Sequence, residues 1–395
     1  MTDRSDIAAI EDWLVEQGVL RPKFETLIEE YCQRLVAVGL PIWHAYFTSL
    51  TLHPTTATIG CLWHRNNGVE RRSYSHEDAQ LGGWEKYPLH FMFKNRISVL
   101  RRRLIGPDSV VDFPQLEELK EHGATDYIGQ LTEFGLDGAP DRETGFLVSW
   151  STDRSSGFSD ADIAALEYLQ PRLALALQSR ISHEIEVNLL DTYVGPDAGR
   201  RILAGEIERG KGKRIRAAIM LSDLGGFTEM TDRLPPEQVI AHLNDYFGIM
   251  ATEVKKQHGE VLKFIGDGML AVFDIEGSAR DKACCQAIHA AIGAAKALAT
   301  LSRDRAEKLN ARMALHLGEV VYGNIGSVDR LDFTVIGAAV NETARIEGLC
   351  RTLDRQILTS ASFASSCTCK PLVSVGSHHL RGVSEPQELF TLAPS

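Results

Sequence analysis

Tryptophan is missing from most of this 395-residue sequence. Trp13, Trp43, Trp63, Trp84 and Trp150 all fall in the first 150 residues, and none follows. A chain of this length has room for two or three domains, and the shift in composition points to two modules of different origin. No apolar run approaches the roughly 18 residues that cross a bilayer, so no membrane span is expected. The opening MTDRSDIAAIEDWL lacks the basic stretch and apolar core of a secretory leader, and the expected compartment is the cytoplasm. Basic excess is also absent: 42 Lys and Arg stand against 53 Asp and Glu, a net charge of −11. That argues against a nucleic-acid binder. It leaves nucleotide binding open, because one local cation or metal outweighs global charge. Cysteine is sparse and odd in number, seven residues with no pair of CxxC motifs, so reduced thiols are expected. Cys367-Thr368-Cys369 is too tightly spaced for a typical zinc loop and reads as a surface or half-buried loop.

What is present is an ordinary globular mix, 44% hydrophobic and 24% charged, which excludes low complexity and global disorder. The pattern predicts an α+β chain. Residues 4–38 read as helical with a break at 18–22, from Ile7, Ile10, Leu14 and then Phe24, Leu27, Ile28 and Leu35. Residues 43–63 and 70–74 read as strands around the turn Asn66-Asn67-Gly68, with further strands over 126–133 and 144–151. Ser159, with Asp162 three residues on, has the form of a capping box. A long apolar stripe follows: Ile163, Leu166, Leu169, Leu173, Leu177, Ile181, Ile185 and Leu189. Pro171 should kink or break it, and its stretch over 181–192 is expected to pair with a second copy. Residues 195–216 are glycine-rich and locally basic and read as a hinge. The expected division is 1–178, a linker over 179–213, and 214–395.

From residue 215 the order is strand, helix, hairpin, helix, strand. Ile215–Leu221 is a short apolar strand ending at Ser222-Asp223-Leu224-Gly225-Gly226-Phe227-Thr228, and 235–257 is an amphipathic helix opened by Pro235 and Pro236. Asp267-Gly268 sits between the apolar runs of GEVLKFIGDGMLAVF, a strong hairpin signal. A helix over 278–301 and strands over 311–317 and 332–336 complete a ferredoxin-like βαββαβ layout. In that layout Asp223 ends the first strand and Asp267 tips the hairpin. If those strands are neighbours, both carboxylates emerge at one sheet end, where they repel unless a divalent cation lies between them. Taken singly, each aspartate reads equally well as a turn residue, and Arg345 as a surface residue paired with Glu342.

LSDLGGFT, GEVLKFIGDGMLAVF and DFTVIGAAVNETARIE, in that order, resemble the catalytic domain of the class III nucleotidyl cyclases, over about 194–392. The resemblance implies that ATP is converted to 3′,5′-cyclic AMP and pyrophosphate. It assigns two Mg2+ ions per site, replaceable by Mn2+, to Asp223 and Asp267 with Leu224 beside them. Lys263 corresponds to the residue on the purine edge, Thr334 to its partner in base selection, Asn341 to the residue orienting the ribose, and Arg345 to the arginine that stabilises the transition state. Arg381 falls where the family carries a cation for the terminal phosphates, and Phe227 and Thr228 are assigned to the substrate. Lys263 only donates hydrogen bonds and suits adenine N1, while Thr334 accepts from N6. For guanine a glutamate is expected in place of Lys263, yet a guanylate cyclase and a catalytically silent nucleotide-binding regulator stay open as alternatives. The family more often has Asp at the position of Thr334, and the threonine variant resembles the subgroup that responds to bicarbonate. Ala338 departs from a more usual Asp. In the family the metal pair and the Asn–Arg pair come from opposite subunits. One chain here carries both, which implies a homodimer with two composite sites.

Residues 40–178 resemble GAF-like sensor domains, through GATDYIGQLTEF and ETGFLVSWSTDRSSGFSDADIAALEYL. The implication is an unidentified small-molecule effector, with Trp43, Phe47, Trp63, Trp84 and Phe91 as candidate pocket residues. Read without the resemblance, the same aromatics are core. His44, His64, His76 and His90 have no metal-ligand spacing.

Overall fold

The computed structural model describes residues 4–50, 56–75, 84–134, 145–275, 280–303 and 305–393. It divides into two compact units, 1–189 and 190–395. Residues 51–55, 144, 278 and 279, which the expected strands and helix include, and His76 lie outside the described residues.

The first unit is one antiparallel sheet with helices on both faces. Its strands are β1 (His44–Leu50), β2 (Thr56–His64), β3 (Gly68–Ser75), β4 (Val99–Arg103), β5 (Asp126–Glu133) and β6 (Gly145–Thr152), in the order β3-β2-β1-β6-β5-β4. The stretch read as one strand over 43–63 is therefore two, β1 and β2, paired with His44 opposite His64. Alternating apolar residues run through both, and Pro54 was the only local sign of the break. Helices α1 (Arg4–Leu20), α2 (Phe24–Ala37) and α5 (Asp160–Tyr193) cover one face. They bury Leu14, Tyr31 and Leu173 against Phe47, Trp63 and Trp150. Helices α3 (Pro88–Asn95) and α4 (Pro114–Glu121) bury Met92 and Leu116 on separate apolar clusters.

Helix α5 starts as its sequence indicates. Ser159 Oγ accepts from the Asp162 amide at 3.3 Å, and Asp162 Oδ2 accepts from the Ser159 amide at 2.8 Å. It then passes Pro171 without a break. Proline removes one helix hydrogen bond, but Leu166, Leu169, Leu173 and Leu177 are buried on either side of it, and that packing holds the helix together. Ile181 and Ile185 join the same core. The five candidate pocket aromatics do not converge. Phe47 and Trp63 are core, Trp43 packs edge-on to His64, Trp84 lies by Tyr74, and Phe91 is exposed beside Phe113. Burial of apolar rings against the nearest helix wins over gathering them at one cavity.

The second unit begins with α6 (Pro196–Leu203), inside the segment read as a hinge. Proline opens this helix and its Ala198 is buried. The glycines that gave the hinge its character turn the chain around it, Gly195 at φ 102° and Gly205 at φ 92°. The strands are β7 (Gly212–Leu224), β8 (Glu260–Ile265), β9 (Gly268–Asp274), β10 (Ala311–Gly326), β11 (Leu331–Ile336), β12 (Ile357–Ser360), β13 (Leu372–His378) and β14 (Gln387–Leu392). The helices are α7 (Phe227–Arg233), α8 (Pro236–Lys256), α9 (Arg280–Leu301), α10 (Ala338–Thr352) and the single turn α11 (Ala361–Ala364). The sheet order is β13-β14-β12-β10-β7-β9-β8, with β11 paired to β10. Its β10-β7-β9-β8 part is the expected ferredoxin-like arrangement, reached through the connections β7-α8-β8-β9-α9-β10.

Helices α8 and α9 pack on one face over Met220, Met269, Phe273 and Met313. Helix α9 is the one described helix long and apolar enough to cross a membrane. Its Ala283, Ala287, Ala290, Ala291 and Ala294 are instead buried in this core. Strand β10 continues well past 317, where the expected strand ended. Gly318 is there because α10 crosses at that point: a Cβ on it would collide with the Cβ of Ala339.

Candidate active site

Asp223 and Asp267 are brought together by the sheet register. Asp223 pairs with Gly268 across β7 and β9, and the Leu224 amide donates to the Asp267 carbonyl at 3.2 Å. Gly266, at φ 62°, makes the hairpin turn that precedes Asp267. Gly268 must be glycine, since a Cβ there would lie 2.8 Å from the Ser222 carbonyl oxygen. Burial, then the charge and hydrogen bond of Asp267, push the Asp223 carboxyl up to about 6, and Arg312 only partly offsets this. Arg312 sits directly opposite Asp223 on β10.

A third carboxylate joins them that the motifs did not single out. Glu347, on α10, is pushed up to about 7 by burial, by Asp223 and by Asp267, again against Arg312. Its position was legible in principle. Glu347 lies two residues past Arg345, about 200° round the helix at 100° per residue. The face of α10 that carries Glu347 therefore looks toward the aspartates, and the opposite face carries Asn341 and Arg345. Asn341 is exposed and Arg345 half-buried. A Cβ on Gly382 would lie 3.5 Å from Arg345 Nη2, so Arg345 lies against the segment that carries the exposed Arg381. Glu342 pairs with His316 at 3.8 Å, which removes the simplest structural partner for Arg345.

Lys263 and Thr334 lie on β8 and β11, which approach each other. Lys263 Nζ lies 3.8 Å from Asp332 Oδ2, and Asp332 is two residues from Thr334, on the same face of its strand. Thr334 is buried and its Oγ1 has no hydrogen-bond partner among the described residues. Phe227 and Thr228 open α7 directly after Gly225-Gly226, with Phe227 packed on the core and Thr228 exposed. The structure thus gathers the acids at one strand end, groups Lys263 with Thr334, and turns Asn341 and Arg345 away from the acids of their own chain. A cavity of about 700 Å³ lined by Arg201, Lys211, Tyr322 and Phe333 opens at the other end of β7, remote from Asp223.

The donor set at the acidic end is all hard oxygen, and Arg312 partly balances its charge. That chemistry fits Mg2+ or Mn2+, which take carboxylates and complete their shell with substrate phosphates. Residues 212–393 match the model of the adenylate and guanylate cyclase catalytic domain. They belong to that family. The cyclase domain is 33% identical over 171 residues to an adenylate cyclase of Anabaena cylindrica, covering 41% of this chain and 33% of that protein. It is also similar to adenylate cyclase 2 of Rhizobium meliloti, 29% identical over 238 residues, covering 59% of this chain and 63% of the relative. Among solved structures, the guanylyl cyclase Cya2 is 31% identical and aligns with a TM-score of 0.41 over 46% of this chain and 93% of that one. The chain spans about a third to two thirds of the length of the curated relatives it matches.

Proposed function

We propose that the chain is an adenylate cyclase that turns ATP into 3′,5′-cyclic AMP and pyrophosphate, as a homodimer regulated through its N-terminal unit. The observation that carries this reading is the pairing of Asp223 and Asp267 on neighbouring strand ends within a cyclase domain. The reaction forms a bond from the ribose 3′-oxygen to the α-phosphorus and breaks the α–β phosphoanhydride, with pyrophosphate leaving and the hydroxyl proton passing to solvent. Asp223, Asp267 and Leu224, whose only oxygen is its main-chain carbonyl, would hold two Mg2+ ions, or Mn2+. When bound, these ions favour ionisation of the 3′-hydroxyl and neutralise the leaving phosphates.

The chain's own residues supply position and charge. Lys263 Nζ donates to adenine N1. Thr334 Oγ1, a buried acceptor with no internal partner, takes a hydrogen bond from the N6 amino group and so ends its desolvated state. Asn341 orients the ribose, and the Arg345 guanidinium holds phosphoryl oxygens as charge develops. Arg381 serves the terminal phosphates, and Phe227 and Thr228 border them. Because α10 turns Asn341 and Arg345 away from its own aspartates, a second copy supplies them, arranged head to tail with two equivalent sites. Exposed apolar side chains at Phe264, Ile265, Leu331 and Ile336 suit burial by that copy.

The N-terminal sheet, flanked by helices, suits a GAF-like sensor for a small molecule, and the free cysteines suit a cytoplasmic chain. The test is turnover of ATP and GTP offered separately with Mg2+ or Mn2+, following pyrophosphate and identifying the cyclic product. Cyclic AMP formation at least about tenfold faster than cyclic GMP, one hydrogen bond's worth of discrimination, is expected. Preference for GTP, or nucleotide binding with no pyrophosphate release, would overturn the reading.

A further inference from the structure

Three cysteines outside the catalytic residues converge. Cys285 lies in α9, while Cys367 and Cys369 lie between α11 and β13. Their sulfurs all fall within 4.8 Å of one another, with Cys367 Sγ and Cys369 Sγ 3.8 Å apart. Cys367 is buried and the other two are partly exposed. The spacing of Cys367 and Cys369 alone had pointed to a plain loop. The sequence hides the third thiol some eighty residues upstream, and the fold delivers it.

The separations decide what the cluster suits. Thiolates about 2.3 Å from one ion stand about 3.8 Å apart in tetrahedral geometry and about 4.0 Å apart in trigonal geometry. Cys367 and Cys369 already stand at that separation and no pair exceeds 4.8 Å, whereas a disulfide needs about 2.05 Å and uses only two of the three. Sulfur ligands select soft ions over Mg2+, so the cluster is chemically separate from the carboxylate end of β7. The partial exposure of Cys285 and Cys369 leaves an approach for an ion, and for a water as fourth ligand of zinc. Cys284, next in sequence, is fully buried in the core and is not among the grouped thiols.

We propose that Cys285, Cys367 and Cys369 form a three-thiolate site for a thiophilic closed-shell cation, Zn2+ or Cu+. Binding breaks three S–H bonds, forms three sulfur–metal bonds and releases three protons, with no change of oxidation state. The bound ion ties α9 to the segment entering β13, beside Leu372 and Leu392, which pack on the same core as Cys285 and Cys369. It therefore anchors the strand that leads to the 380–382 segment.

The experiment uses the full chain, reduced and stripped of metal. Co2+ serves as a coloured stand-in for Zn2+, because only thiolate ligation produces the sulfur-to-cobalt charge-transfer band. One Co2+ per chain with that band, displaced by Zn2+ and untouched by excess Mg2+, is expected. A parallel titration with Cu+ against a chromophoric chelator identifies which ion binds more tightly. Cys285→Ser and Cys369→Ser should each weaken binding about tenfold or more, while Cys284→Ser leaves it unchanged. Alkylation rates provide a measurement free of substitutions: Zn2+ should slow modification of Cys285 and Cys369. Absence of the band, a band that survives Cys285→Ser, alkylation indifferent to both ions, or a Cys367–Cys369 disulfide in the freshly isolated chain would each overturn the proposal.

Discussion

If the aspartates and the Asn341–Arg345 pair of one chain serve different sites, two dead variants should revive each other by a calculable amount. Asp223→Ala removes one of the paired carboxylates, and Arg345→Ala removes a cation carried on the far side of α10 from those carboxylates. Loss of one preorganised charge contact costs on the order of 100- to 1000-fold in turnover, so each variant alone is expected to be nearly inactive. In a mixture of equal amounts that exchanges freely, half the dimers carry one chain of each kind. Each such dimer has one site with both defects and one with neither. Half the dimers with half their sites intact gives about 25% of wild-type activity per chain, against about 1% or less for either variant alone. The assay is cyclic AMP formation from co-expressed or co-refolded chains, with sedimentation confirming that both variants fold and dimerise. A mixture no more active than its separate components would refute the composite site. So would a variant carrying both substitutions that lowers the activity of wild-type chains no further than either single variant does.

The other expectations are simpler. Lys263→Glu removes a charged hydrogen bond worth about 1.5–3 kcal/mol, so kcat/KM for ATP should fall about 10- to 150-fold relative to GTP; an unchanged ratio would separate Lys263 from base selection. Burial, with Asp197 nearby, pushes Glu260 up to about 7, opposed by the hydrogen bond from Tyr322. Its folded-state value exceeds the unfolded one, so its contribution to stability is complete below about pH 4.5 and is lost as the pH rises through 7. Discounted for partial exposure, the loss is on the order of 1–2 kcal/mol, and Glu260→Gln should flatten the fall of Tm between about pH 4.5 and pH 7.5, roughly the span of that titration. Gly259→Ala drives a methyl group into the Phe273 ring, whose Cζ would lie 2.7 Å away. Overpacking of this kind costs about 1–3 kcal/mol, read as a lower denaturation midpoint. Every tryptophan lies in the first unit, so an effector bound there should change intrinsic fluorescence in a metabolite screen.

The cyclase half was legible because its chemistry sits at element ends that the sequence marks strongly. Asp-Gly between two apolar runs fixes a hairpin, and an apolar strand running into Ser222-Asp223 fixes the neighbouring end. What the motifs did not disclose depends on contacts distant in sequence. Arg312 reaches Asp223 only through the pairing of β10 with β7, and Glu347 reaches it through the packing of α10. The 195–216 segment misled for a different reason: its glycines permit the turns around α6, while the short helix between them is stabilised by burying Ala198. In the N-terminal half, aromatic content said little about a pocket. Large rings gain as much by burial in a core as by lining a cavity, and Phe47 and Trp63 lie in the core.

On the proposed reading, charge balance favours a site completed by a second chain. Asp223, Asp267 and Glu347 converge at one end of the sheet, and Arg312 is the cation acting on them. A nucleoside triphosphate brought to that end adds several further negative charges. In a partly buried setting such an excess is expensive unless cations accompany it. Metal ions held by Asp223 and Asp267 would meet part of the need. The developing charge would need donors of its own, and Arg345, beside the segment that carries Arg381, lies on the side of α10 that faces away. Rotating α10 to deliver them would withdraw Ile346 and Cys350 from their buried seat against Ala314 and Leu358, at about 2–5 kcal/mol for the larger side chain alone. Presenting that same face to a neighbouring copy would cost no such unpacking, and on the proposed reading two copies related by a twofold axis would complete each other.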